Sequence, residues 1–288
     1  MAVAAGPTVR QRQLGKRLRE IRAEKNLTVD AVAKELECSP SKISRLETAT
    51  RRPNPRDVRD LCRFYGLDED ESAELVELAR EAKEPVWWQE FPDVGLALMP
   101  YIGLEQDASA ITSFAAFYVP ALLQTADYAR AIIKGIAPRM SSEVLSDRVQ
   151  VRLRRQDILK RDRPPRCRVY IDESVLHRPT GGPEVMVAQI DKILELIEED
   201  KVIAQIMPFD VGVLASQDSN FVLLEFDDRE LSPIIFVESL QSSQILEREV
   251  DVLRYREAIE NLRDSALPPG VTKTRFIQLR KAYESASR

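Results

Sequence analysis

Three helix-start signals follow one another closely between Leu27 and Gly66: Thr28 before Val29, Ser39 before Pro40, and Asn54 before Pro55. The side chain of a Thr, Ser or Asn accepts a hydrogen bond from the turn that follows it, and proline is tolerated at the first helical position, where its missing N–H is not needed. A helix interior tolerates neither Pro40 nor Pro55, so this stretch must be a series of short helices. The apolar spacing agrees. Leu14, Leu18 and Ile21 stripe a first helix ending near Asn26, and Val29, Val32, Ala33 and Leu36 stripe a second. A third starts at Pro40, a fourth ends at Gly66, and an acidic fifth runs from Asp70 to Lys83. The expected unit is an all-α, five-helix domain between Gln13 and Ala82.

Charge divides the chain at the same place. Its 288 residues carry a net charge of −5, but residues 1–66 hold 15 Lys and Arg against 8 Asp and Glu, a net +7, which leaves −12 on the other 222. A basic unit can neutralise phosphates and release counterions, while an acidic remainder is repelled by the same polyanion. A solvated basic face without a partner has the same composition. Apolar runs such as Ile111 to Ala116 are soon broken, and none approaches the ~20 residues of a membrane span. Three widely spaced cysteines, Cys38, Cys62 and Cys167, suit a reducing compartment. With no apolar signal core in Met1 to Arg10, the cytoplasm is expected. Cys38 and Cys62 fall in predicted helical segments and read as small core fillers.

The helical pattern breaks at Glu84-Pro-Val-Trp-Trp-Gln-Glu-Phe-Pro92, which holds both tryptophans. The expected organisation is the five-helix domain at 10–83, an aromatic joint at 84–100, and a larger domain at 101–288. Trp87 and Trp88 fit docking between the domains better than an exposed stacking role. Beyond the joint, helices are predicted over Leu104 to Phe117, Gln124 to Ile136, Ser142 to Lys160, Pro183 to Glu199 and Ser242 to Leu262. Strands are predicted over Arg168 to Asp172, Val202 to Pro208, Phe221 to Phe226 and Ile234 to Ser239. This order suggests α+β with a small sheet rather than a repeating βαβ unit. In the last predicted helix, Ile245, Leu246, Val250 and Leu253 form a stripe that fits either core or a dimer surface.

At about 100° per residue from Pro40, Ile43 and Leu46 share one side of the third helix. Ser41, Ser44 and Arg45 then point outward, with Lys42 on the flank. Such a face fits the major groove, where arginine grips guanine O6 and N7 and serine pairs with several base edges or with phosphate. The runs Leu27-Thr-Val-Asp-Ala-Val-Ala, Ser39-Pro-Ser-Lys-Ile-Ser-Arg-Leu-Glu47 and Arg51-Arg-Pro53 resemble the Cro/CI-type (XRE family) helix-turn-helix regulators over residues 13 to 80. The resemblance implies DNA contacts by Thr28, Ser39, Ser41, Lys42, Ser44, Arg45, Arg51 and Arg52. It also aligns Arg22 and Glu47 with a structural ion pair that holds helix one to helix three. Val29 and Pro40 stand where relatives carry amide side chains, so adenine readout is not available there. Arg10, Arg12, Lys16 and Arg19 fit a solvated face and a DNA-reaching arm equally.

A second resemblance rests on Tyr101-Ile-Gly-Leu-Glu105, Tyr118-Val-Pro-Ala-Leu-Leu-Gln-Thr-Ala-Asp-Tyr-Ala-Arg130, Arg154-Arg-Gln156, Asp172-Glu-Ser-Val-Leu176, and Pro208-Phe209 with Gly212. Residues 85 to 280 are similar to the large domain of unknown function (DUF5753-like) found behind such helix-turn-helix domains in actinobacterial regulators, with Ala121 where glycine is usual. The resemblance implies a transcriptional regulator that binds double-stranded DNA. A homodimer is expected on separate grounds, since a single recognition helix touches few base pairs. The large domain would then dimerise and sense a small-molecule effector. In the alternative reading it is an antitoxin-like module for a small partner protein encoded nearby, with DNA binding serving autoregulation. No cofactor, metal or membrane is implied. Asp172, Glu173, Ser174 and the single histidine, His177, could in principle form a catalytic group. No phosphate loop, nucleophile elbow or metal cluster accompanies them, and an enzyme is not expected.

Overall fold

The computed structural model describes residues 8–84, 86–91, 98–213, 219–227, 231–238 and 242–286. The chain divides into two compact units, one of Met1–Pro92 with Met99–Leu104, the other of Asp93–Leu98 with Glu105–Arg288.

The first unit begins four residues ahead of the predicted helix. Thr8 Oγ1 accepts from the Gln11 N–H (3.3 Å) and Gln11 Oε1 accepts from the Thr8 N–H (3.1 Å), a reciprocal cap that starts α1 (Val9–Glu24). Gln11 also donates to the carbonyl of Ala82, tying the start of α1 to the end of the fifth helix. There follow α2 (Val29–Glu35), α3 (Pro40–Glu47), α4 (Pro55–Tyr65) and α5 (Glu69–Glu81). Leu14, Leu18, Ile21, Val32, Ile43 and Leu61 meet in their shared core. Gly66 ends α4 in the left-handed conformation, at φ 67°. Cys62 is buried in this core, and burial raises its thiol pKa. Cys38 lies in the turn between α2 and α3 rather than in a helix, and packs against the same core.

In the aromatic segment, Pro85 and Pro92 lie outside the described residues. Trp87–Glu90 forms a 3-10 turn in which Trp87 meets Trp88 edge-on, ring centres 5.6 Å apart. Trp88 is buried within the first unit, its ring against Gly103.

The second unit is α+β, around a single six-stranded sheet in the order β3-β2-β1-β4-β5-β6. The strands are β1 (Ala110–Ala115), β2 (Arg166–Asp172), β3 (Ile203–Met207), β4 (Asn220–Glu225), β5 (Ile234–Glu238) and β6 (Ser243–Leu246). β1, β2 and β3 are parallel, and β4 to β6 run as an antiparallel meander. The parallel half needs long crossovers. α7 (Ala126–Ile136) and α8 (Ser142–Arg155) join β1 to β2, and α9 (Glu173–His177) and α10 (Pro183–Glu198) join β2 to β3. α11 (Glu249–Ser265) packs on one sheet face through Val252 and Leu262 against Phe114, Tyr170 and Phe221. α12 (Pro269–Ala286) packs along α10 and β3.

Three expectations need correction. The predicted helix Leu104 to Phe117 is the end of α6 (Met99–Asp107) followed by β1. β1 lies between β2 and β4 and is buried along nearly its whole length, so its sequence shows no alternation to separate it from a buried helix. The predicted helix from Ser242 starts as strand β6, and only Glu249 onward is helical. Its apolar stripe is therefore broken: Ile245 and Leu246 sit on the strand, while Val250 and Leu253 are exposed on α11. α12 was not expected. Its start, Pro268-Pro-Gly270, has the composition of a breaker, yet Pro269 occupies the tolerated first position.

Candidate nucleic-acid interface

The turn between α2 and α3 is held by backbone bonds from Cys38 N–H to Ala33 (2.8 Å) and from Glu37 N–H to Lys34 (3.3 Å). Glu37 stands left-handed in it, at φ 48°. Thr28 caps α2 through the Ala31 N–H (3.1 Å) and Ser39 caps α3 through the Lys42 N–H (3.2 Å). Both caps are exposed, so each hydroxyl keeps a free donor side. Ile43, Leu46 and Glu47 form the buried side of α3, and Ser41, Ser44 and Arg45 are exposed on the other.

Arg45 donates through Nε to the Ser41 carbonyl (3.2 Å), which lays its side chain along the helix. Its two terminal nitrogens have no partner among the described residues. Behind it, Ala49 turns left-handed at φ 56°. Thr48 donates to the Ser44 carbonyl (2.8 Å), and the Arg51 N–H donates to the Arg45 carbonyl (3.0 Å). The chain thus folds back over the end of α3, and Arg51 and Arg52 are exposed there without an ion-pair partner among the described residues. Lys42 differs from the other expected contacts. It is half-buried and its ammonium pairs with Asp57 at 2.8 Å, which joins α3 to the first turn of α4.

Beneath this face Arg22 grips Glu47 with two bonds, 2.7 and 2.9 Å, and gives a third to the Leu27 carbonyl at 2.8 Å. The bond to Glu47 raises the Arg22 pKa. This pair faces the interior and fixes α3 against α1, as its alignment with a structural pair implied. The Tyr65 hydroxyl is buried with no hydrogen-bond partner among the described residues, and burial raises its pKa.

Gly15 was not singled out in the sequence. A Cβ there would sit 2.7 Å from the Glu47 carbonyl oxygen and 2.8 Å from that of Leu46, so α1 crosses the end of α3 at a distance only glycine permits. A glycine inside a strongly periodic helix was the available signal. The exposed arginines of α4 were also missed. Arg56, Arg59 and Arg63 have no ion-pair partner among the described residues, and the Lys42–Asp57 link places the Arg56 end of α4 beside α3. Of the basic residues on α1, Arg10 pairs with Glu81 at 3.0 Å and Lys16 with Glu20 at 3.8 Å, while Arg19 is exposed.

In the second unit the motif residues bond to one another. Glu105 of α6 and Arg155 of α8 form a buried two-bond pair, 2.7 Å each. Gln124, fully buried, donates to the Val119 carbonyl (2.6 Å) and accepts from Arg152 (2.8 Å). Its backbone carbonyl takes bonds from Gln156 and Lys192, both 2.8 Å. Burial lowers the pKa of both Arg152 and Lys192. Ala121 has an ordinary backbone, so the missing glycine costs nothing, and its carbonyl accepts from Gln156.

The Asp172 to His177 group is arranged as scaffold. The Ser174 hydroxyl and N–H both donate to Asp172, which caps α9. Buried Glu173 accepts from the Phe209 N–H (3.2 Å) and faces Arg275 at 3.2 Å and His177 at 3.6 Å. No bond joins Ser174 to His177, so the nucleophile–base contact of a hydrolase is not made. Burial, and secondarily Glu105, pushes the Cys167 thiol up to about 12, which keeps it protonated and unreactive. No group of three His, Cys, Asp or Glu among the described residues is placed to hold a metal, and no described helix is long and apolar enough to cross a membrane.

Residues 13–75 match the family model of a helix-turn-helix domain, and residues 98–278 match that of a domain of unknown function, DUF5753. No curated protein and no solved structure matches the chain.

Proposed function

We propose, for a chain that belongs to the DUF5753 family and carries a helix-turn-helix domain ahead of it, the role of a sequence-specific transcriptional regulator. The helix-turn-helix domain supports DNA binding and a regulator rather than an enzyme. The observation that carries the finer reading is the outward face of α3. Ser41, Ser44 and Arg45 are exposed beside the folded-back Arg51 and Arg52, in a segment of net charge +7. Arg45 reads a base edge in the major groove, Ser41 and Ser44 contact bases or phosphate, and Arg51, Arg52 and Arg56 grip the backbone. Thr28 and Ser39 add phosphate contacts to their capping role. Lys42 is the weakest of the expected contacts, because Asp57 offsets its charge.

The protein acts in the cytoplasm as a homodimer on a paired operator. An eight-residue recognition helix touches few base pairs, and two copies on half-sites ~34–36 Å apart supply the missing affinity. The DUF5753 domain receives the signal, from a small-molecule effector or, in the antitoxin-like alternative, from a small partner protein. Selection of bound fragments from random DNA by the purified full-length protein tests the proposal. A recurring motif in two symmetric halves is expected, and recovery of unrelated sequences would refute it. Co-purification of a small protein with the native chain would favour the alternative.

A further inference from the structure

A groove of about 650 Å³ opens on the α11 face of the sheet in the second unit, within the ~300–1,000 Å³ range of small-molecule sites. Alternation along the strands builds its floor: Thr112 of β1, Arg166, Arg168 and Tyr170 of β2, and Leu223 of β4 lie on one face in register. Ile259 of α11 and Ile203 of β3 form an apolar wall, and Ile203 is 45% exposed although it stands in a sheet.

Two independent features mark the groove as a binding site. The first is charge. Residues 67–288 carry a net −12, yet the groove is lined by five cations against three acids. Two of those acids are already matched, Glu225 by Arg256 at 2.6 Å and Glu260 by Arg263. Arg166, Arg168 and Lys201 have no carboxylate partner among the described residues, and Asp200 is the one lining acid left over. Arg168 is steadied by a bond to Gln205 (2.9 Å), which leaves its second terminal nitrogen free to donate. The second feature is Tyr170. Its side chain is fully buried and lines the groove, and its hydroxyl has no hydrogen-bond partner among the described residues. Buried polar groups nearly always have a partner, so this hydroxyl marks a place where a bound molecule completes the bonding.

We infer that this groove binds a small organic phosphate. Its dianionic head is held by Arg166, Arg168 and Lys201 with a bond from the Tyr170 hydroxyl, and its flat apolar body lies on Leu223, Ile203 and Ile259. Three unpaired cations lining one groove suit a dianion better than a single carboxylate, and guanidinium forks match phosphate oxygens in pairs. The site lies within the second unit and stands whether or not the chain reads DNA.

The test is calorimetric titration of the full-length protein at fixed ionic strength, above pH 7.5, with phenyl phosphate and with inorganic phosphate. Saturable one-to-one binding of phenyl phosphate is expected, about tenfold or more tighter than inorganic phosphate. The double substitution Arg166→Gln with Lys201→Gln, both on the surface, should weaken it at least about tenfold with an unchanged unfolding midpoint. Tyr170→Phe should weaken binding about three- to tenfold while the unliganded protein keeps or gains stability, because the hydroxyl it removes has no internal partner. A destabilised Tyr170→Phe would show that the hydroxyl is structural. Absence of saturable binding, or binding that survives the double substitution, would overturn the site. Equal affinity for inorganic phosphate would overturn the apolar wall.

Discussion

The polar residues on the outer side of α3 are exposed, while the central polar residues of the second unit's motifs are buried and bonded to one another. On α3, Ser41, Ser44 and Arg45 are exposed, and the terminal nitrogens of Arg45 are unspent. In the DUF5753 domain, Glu105 is joined to Arg155, Gln124 to Arg152 and the carbonyl of Val119, and Glu173 to the Phe209 N–H. A recognisable motif therefore leaves its polar groups open to solvent in one region and ties them into a scaffold in the other. What separates them is whether the polar groups already have partners inside the protein. Buried polar side chains must be satisfied, whereas exposed ones can keep their bonding groups open to a partner. The residues that mark the groove under α11, Arg166, Arg168, Lys201 and Tyr170, lie outside the motif runs.

The comparison breaks first at Glu105. If the motifs are scaffold, Glu105→Ala removes both carboxylate bonds that hold the buried Arg155 and should lower unfolding free energy by about 3–5 kcal/mol in a urea titration. A loss under about 1 kcal/mol would mean the pair does not hold α6 to α8. Next comes Gly15→Ala. Helix propensity alone favours alanine by about 1 kcal/mol, but contact with the Leu46 and Glu47 carbonyls should reverse the sign, for a net loss of about 1–3 kcal/mol. A stabilised variant would show that α1 and α3 have room to separate. Glu37→Gly should act in the opposite direction. Relief of the left-handed strain at φ 48° is worth about 1 kcal/mol, less the extra entropy glycine loses on folding. Thermal unfolding would read this small gain, and any loss would mean that the Glu37 side chain contributes. The smallest effect belongs to Tyr65→Phe, which removes a buried hydroxyl without a described partner and should change stability by no more than about 0.5 kcal/mol.

Legibility in the sequence followed the range of the interactions. The outward face of α3 was readable because two caps and a helical period settle it within eight residues, and Ile43 and Leu46 are buried where the helical period puts them. The strands β2 to β5 were readable from β-branched and aromatic residues. β1 was not, since a strand buried on both faces lacks the period-two signal, and edge strand β6 was read into the helix that follows it. The inward roles of the DUF5753 motifs were out of reach for a different reason. Arg152 and Gln124 are 28 residues apart, and Gln189 and the Leu123 carbonyl are 66 apart. Only the folded domain brings such pairs together. Gly15 belongs to the same class: its necessity comes from a carbonyl more than thirty positions away. The Lys42–Asp57 pair likewise joins two helices whose own patterns say nothing about each other.

The claim that the α3 face reads DNA is tested most directly by comparing Arg45→Ala and Arg52→Ala on the selected operator and on random duplex across a series of salt concentrations. Arg45→Ala should cost about 1–3 kcal/mol on the operator and little on random DNA, with relaxed preference at one base pair. Arg52→Ala should weaken both DNAs alike and lower the salt slope by about one. Equal losses on operator and random DNA for Arg45→Ala would contradict the account, because the guanidinium would then be gripping phosphate and the exposed face of α3 would carry no sequence information.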